Sequence, residues 1–164
     1  MQDPRIELLL RFLEQAYERR SWHGPNLSTA LKGVSVAQAA FRPSAERHNI
    51  WELALHAAYW KYRISRQISE RSPRSFELVG SNFFERPAGH GEDTWRSDRR
   101  LLRTWHQRLV AAVTDIDPAQ LERPVGKDAR FTLADRVAGV ASHDLYHAGQ
   151  IMLLRRLAED AGIE

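Results

Sequence analysis

The sequence predicts an all-α fold, a four-helix bundle with short helical turns in its connectors. Three observations carry that expectation. Apolar residues recur at helical period in four long segments. Capping residues stand where these segments begin. Almost no stretch reads as a strand. No amphipathic helix can bury its apolar stripe alone, so packing four of them together is the simple solution.

Asp3 followed by Pro4 marks a helix start, with an N-cap carboxylate and then proline at the first helical position. Ile6, Leu9, Leu10, Leu13 and Tyr17 follow at helical spacing, which predicts a first helix over roughly residues 4–20. Ser21-Trp22-His23-Gly24-Pro25 stops it, since glycine and proline continue a helix poorly. A connector over roughly residues 26–48 holds two short helical turns, one opened by the capping box that begins at Ser35. Asn49 caps the second long helix, which has Ile50, Leu53, Ala57, Trp60, Ile64 and Ile68 as its stripe and runs to about Glu70.

The longest break covers roughly residues 71–92 and holds Pro73, Gly80, Pro87, Gly89 and Gly91, so it reads as loop. A loop of that length permits a crossover and leaves the helix order open. The third long helix is expected over about Asp93–Thr114, with Trp95, Leu102, Trp105, Leu109 and Val113 on one side. Asp117-Pro118 starts a short turn through Leu121, and Thr132 caps the fourth helix. Its stripe is Leu133, Val137, Val140, Asp144, His147, Ile151 and Leu154.

With 164 residues, 43% of them hydrophobic, the chain is expected to form a single domain over residues 1–164 with a real core. It has no cysteine, which excludes disulfides and thiolate metal sites. Any metal must then sit on His, Asp or Glu. Neither a signal peptide nor an apolar run of roughly 20 residues is legible, so no membrane partner is expected and the default compartment is cytoplasmic. The net charge is +3, and the positive charge is almost all arginine. The arginines are interleaved with acids, so no nucleic-acid-binding face is expected. The densest group, Arg96, Arg99, Arg100 and Arg103, shares its segment with Asp93 and Asp98 and reads as a solvated helix face.

Two histidines carry the strongest chemical signal. His143 and His147 are four apart, hence one turn apart on one face of the fourth helix, at or beside its apolar stripe. His56 flanks the stripe of the second helix, with Tyr59 and Trp60 beside it as candidates to line a site. Burying several imidazoles without partners is costly, and a metal ion supplies the partner. Three inward histidines would leave coordination positions for water or substrate. Asp144, on the same stripe, either orients a ring N–H or caps elsewhere. His23 either lines the mouth of the site or caps the first helix. Trp22 beside it either walls a substrate pocket or fills a buried corner. His48 reads as a surface or capping residue, His90 as solvated and His106 as packed or surface. Tyr146 points to another face.

Three stretches resemble the DinB/YfiT-like superfamily of small four-helix metalloproteins: Trp22-His23-Gly24-Pro25-Asn26-Leu27, Asn49-Ile50-Trp51-Glu52-Leu53-Ala54-Leu55-His56 and Ser142-His143-Asp144-Leu145-Tyr146-His147-Ala148-Gly149-Gln150-Ile151. The resemblance implies a bundle with a three-histidine site for zinc, nickel, iron or manganese, the ligands being His56, His143 and His147. It also implies kinship with thiol-dependent enzymes, including S-transferases that use a low-molecular-weight thiol as cosubstrate. Two functions follow as expectations. One is a metal-dependent thiol transferase or hydrolase acting on a small-molecule substrate. The other is a non-catalytic stress-response bundle with a structural metal or a partner-binding surface. Bundles of this size often pair, so a homodimer is also expected.

Overall fold

A computed structural model describes residues 2–70, 72–86, 89–126 and 130–164. Among them the secondary structure is helical, with one isolated bridge between Pro124 and Thr132. The helices are α1 (Pro4–Tyr17), α2 (Leu27–Leu31), α3 (Val36–Ala40), α4 (Ile50–Ile68), α5 (Glu92–Thr114) and α6 (Leu133–Asp160), with a single 3-10 turn at Pro118–Gln120. None of them is long and apolar enough to cross a membrane.

The caps act as their chemistry requires. The Asp3 carboxylate accepts from the Arg5 backbone N–H. Ser35, Asn49 and Thr132 each close a reciprocal capping box with the residue three positions on. Two helices end earlier than their apolar pattern suggests. The Asn26 side chain takes the Arg19 carbonyl and draws the chain aside after Tyr17. Ser69 turns the chain out of α4 two residues short of Glu70.

The four long helices pack in a ring, with α4 against α5 and α6, and α1 against the same two. The long loop, whose length permits a crossover, therefore does not make one. It joins the neighbours α4 and α5, and the connectors 18–49 and 115–132 cross the bundle instead. The loop packs against the bundle through Phe76, Phe83 and Phe84. Glu77 accepts from the Trp105 indole at 2.7 Å, and Arg86 pairs with Asp98 at 2.7 Å. Arg71, Pro87 and Ala88 of this segment lie outside the described residues.

The apolar interior divides into two clusters, and the division falls at one level of the bundle. Tyr17 belongs to the first cluster and Ala16 to the second; Tyr62 and Trp105 to the first, Ile64 and Leu109 to the second. Between them lie Lys61, His106 and Asp144, all essentially without solvent exposure. Lys61 and Asp144 form an ion pair across α4 and α6. His106 stacks on Tyr17 with ring centroids 3.9 Å apart.

Removing one member of a buried pair strands the other charge, whereas removing both strands none. Lys61→Met and Asp144→Leu should each lower the unfolding free energy by about 3–5 kcal/mol, and the double variant by far less than their sum. Urea unfolding of the three variants measures this, and additive losses would show that the groups do not depend on each other.

Candidate metal centre

His56 lies in the first half of α4, and His143 and His147 lie one turn apart near the middle of α6. Because α4 and α6 are neighbours, the three rings meet. His143 Nε2 is 3.0 Å from His56 Nε2 and 2.9 Å from His147 Nε2. One ligand atom from each residue falls within 4.8 Å of the others. His56 and His147 are buried and His143 is half-buried.

Bonds on the far side of two rings fix their tautomers. His56 Nδ1 lies 2.9 Å from the Asn82 carbonyl, which can only accept, so Nδ1 carries the proton and Nε2 a lone pair. His147 Nδ1 lies 2.6 Å from Gln150 Oε1, with the same result. His143 Nε2 therefore faces two lone pairs. A neutral imidazole has one N–H, so it can satisfy at most one of them. Its Nδ1 is buried without a partner among the described residues. A cation at the centre removes the conflict between lone pairs. Bonds of about 2.0–2.1 Å to one ion set imidazole nitrogens roughly 3 Å apart, and two of the three edges already match. Burial also keeps the rings neutral: it pushes His56 down to about 4 and His143 to about 3, and lowers His147. The three histidines can hold a metal ion.

Residues 20–151 match the DinB superfamily. The chain belongs to the DinB superfamily. The match takes in all three histidines, the whole of α4 and the part of α6 that carries His143 and His147. No curated protein and no solved structure matches the chain.

In this DinB chain the histidines lie between two clefts, and His56 and His143 line both. The wider one, about 850 Å³, also has Glu46, Arg47, His48, Tyr146, Leu153 and Leu157 in its walls. The narrower, about 400 Å³, has Trp60, Phe131, Arg136 and Val140. Trp60 sits 6.3 Å from the His56 ring and 6.2 Å from His143.

Four residues expected at the site lie elsewhere. Trp22 is 95% exposed, and with His23 it edges a separate cavity against Phe12 and Leu145. Since α1 lies diagonally across from α4, its end faces the opposite flank of α6. Tyr59 is buried against Tyr62, Phe76 and Phe84, and lines neither cleft. Asp144 neither orients a ring N–H nor caps a helix. One residue on from His143, it is rotated by about 100° into the bundle centre, where Lys61 meets it.

Three residues of the site went unread in the sequence, Gln150, Asn82 and Phe83, and a fourth, Tyr146, was read onto another face. Gln150 sits one turn after His147, a spacing that offers a signal. Asn82 comes from a loop and carries no such signal. It is the only non-glycine at positive φ among the described residues, at 68°. Its side chain accepts from the Trp60 indole at 3.2 Å. Phe83 lies between the rings of His56 and His48, 4.0 and 3.7 Å away and nearly parallel to both. Tyr146, expected on another face, stands at the cleft rim beside His147.

The neutral histidines tie stability to pH. A histidine held neutral by burial folds without the proton that its unfolded form takes up below about pH 6.5. Its contribution is full above that value and is lost as pH falls towards the folded value. His106, neither of whose ring nitrogens is hydrogen-bonded among the described residues, is pushed by burial down to about 2. It should cost the fold about 1.4 kcal/mol per pH unit below about 6. In the metal-free protein, His106→Phe should reduce the slope of stability against pH by about that amount between about pH 6 and 4.5 in urea-unfolding series, leaving the share of His56, His143 and His147. An unchanged slope would show that His106 takes up a proton in the folded chain.

Proposed function

We propose that His56, His143 and His147 hold one divalent ion in an open site, and that the protein is a metal-dependent enzyme of the thiol S-transferase or hydrolase type. The observation that carries this reading is the meeting of three imidazole nitrogens, two with lone pairs turned inwards by Asn82 and Gln150. Zinc, nickel, iron and manganese all accept imidazole. No fourth His, Cys, Asp or Glu joins the group among the described residues. A structural zinc site is ordinarily closed by four protein ligands, whereas a catalytic one keeps a position open. An ion held here supplies Lewis-acid chemistry, lowering the pKa of a thiol or water that reaches it.

The surrounding residues do the rest. Glu46 and Arg47 stand side by side in the wide cleft and offer opposite charges to a low-molecular-weight thiol with both amino and carboxylate groups. His48 Nδ1 is engaged with Glu52 at 2.9 Å, which leaves Nε2 to take the proton released in that cleft. Trp60, Phe131 and Val140 give an apolar co-substrate its wall on the narrower side.

Elemental analysis of protein purified without a histidine tag should give about one ion per chain, falling towards zero in His143→Ala. Chelated protein should keep its far-ultraviolet helix signal, since the apolar stripes remain buried, and should lose turnover on a panel of thiols and electrophiles. Collapse of the helix signal on chelation would replace this reading with a structural metal. A second variant tests how the site is held. Gln150→Ala frees the far side of the His147 ring and should weaken metal binding by about 10–100-fold. Gln150→Glu keeps an acceptor for His147 Nδ1 and should restore most of the affinity. Equal affinities in all three proteins would show that this bond does not orient the ring.

A further inference from the structure

The arginine-rich face of α5 is not simply solvated. Arg99 and Arg103 stand one turn apart on it and line a cavity of about 350 Å³, which α2 and the residues after it close from the other side. That side contributes Lys32, Ser28 and Thr29. Tyr17 is in the wall too, 3% exposed, and Arg103 lies close enough to act on its hydroxyl electrostatically. The histidine pair of α6 contributes nothing to this cavity.

Three features mark it as built for an anion. It has three cationic side chains and no carboxylate in its lining. None of the three has an acidic partner among the described residues. Three of the nearby acids are engaged elsewhere, Asp98 by Arg86, Glu14 by Arg19 and Asp144 by Lys61, and Glu18, which acts on Tyr17, is exposed and outside the lining. Like charges one helical turn apart repel, and a lysine from another element adds to the repulsion. Arg96 on the same helix, by contrast, has Asp93 at 3.2 Å. The donors suit a phosphate group, because guanidinium forks and hydroxyls offer several N–H and O–H groups to its oxygens. Burial pushes the Tyr17 hydroxyl up to about 12, so it remains a donor at neutral pH. Leu31 and Leu102 also line the cavity, and its volume lies at the lower end of the roughly 300–1,000 Å³ typical of organic-ligand sites. A bare ion would leave that apolar wall uncovered.

We propose that this cavity binds a small organic phosphomonoester, its phosphate on Lys32, Arg99 and Arg103 and its organic part against Leu31 and Leu102.

Phenyl phosphate and inorganic phosphate are the probes, titrated into the full chain at fixed ionic strength and followed by calorimetry. Phenyl phosphate should bind saturably at one site per chain and more tightly than inorganic phosphate. The R99A/R103A variant should weaken it by about tenfold or more, the scale of losing charge-assisted hydrogen bonds. R96A/R100A removes the same net charge from the same helix outside the cavity and should leave the affinity within about twofold, as screened surface charges do. Binding should survive in the His143→Ala variant, which separates this cavity from any phosphate held at the metal centre. Equal losses in the two arginine variants would overturn the proposal in favour of diffuse attraction. So would loss of binding in His143→Ala, or no saturable binding at all. Circular dichroism of the arginine variants checks that each is folded. If R99A/R103A is not, the lysine pair R99K/R103K, which keeps the charge and loses the fork, should still weaken binding measurably.

Discussion

The ion pair between Lys61 and Asp144 sets where everything else stands. Both groups are wholly buried, at the level where the apolar core divides in two. A lone charge there would cost several kcal/mol, so few alignments of α4 against α6 are tolerable. Asp144 directly follows His143, and Lys61 lies five residues on from His56. The alignment that pairs the charges also brings His56 Nε2 within 3.0 Å of His143. The pair gives little net stability for its burial, since well-packed apolar residues of the same volume often do as well. Its effect is on register, and register is what a site shared by two helices requires.

The second support comes from the loop between α4 and α5. A loop is a poor place from which to orient an imidazole unless its backbone is held. Here Glu77 is fixed by Trp105 and Arg108, and Arg86 by Asp98, which is itself fixed by Trp51. Between these anchors Asn82 takes up a left-handed backbone, which asparagine tolerates better than most residues. That conformation turns its carbonyl to His56 and its side-chain oxygen to Trp60. Sparsely populated backbone conformations concentrate where structure serves a site, and in the described residues this one serves His56.

What could be read in the sequence was what repeats along a helix. The stripes of α1, α4, α5 and α6, their caps and the four-residue spacing of His143 and His147 all follow from the 3.6-residue period. His56 could be placed on an inward face for the same reason. Asn82 could not be, because a loop carbonyl has no residue type to betray it. The direction of Asp144 was misjudged because a stripe is broad: His143 and Asp144 both fit it, yet one turns to the clefts and the other to Lys61. Trp22 and His23 were misplaced because the sequence does not say which helices are neighbours. Once α1 lies diagonal to α4, the end of α1 cannot reach His56. The superfamily match over residues 20–151 leaves out α1 but takes in the loop that carries Asn82, which no periodicity reveals.

Charge separates the cavities by what they can receive. The wide histidine cleft carries Glu46 beside Arg47, and the narrower one Asp135 beside Arg136. Apart from the ion proposed between them, each pairs one acid with one arginine. The cavity between α2 and α5 carries three bases and no acid. The imbalance does not come from a shortage of acids nearby, since Asp98 and Asp144 are buried within the same bundle. Those carboxylates are buried and committed to Arg86 and Lys61, so neither can be drawn out to the cavity without leaving its partner's charge unpaired. The bases at Lys32, Arg99 and Arg103 therefore keep their field, which a low-dielectric wall of leucine and tyrosine focuses into the cavity. One bundle thus presents two kinds of cavity, and the ion pairs that hold Asp98 and Asp144 keep these acids away from the basic one.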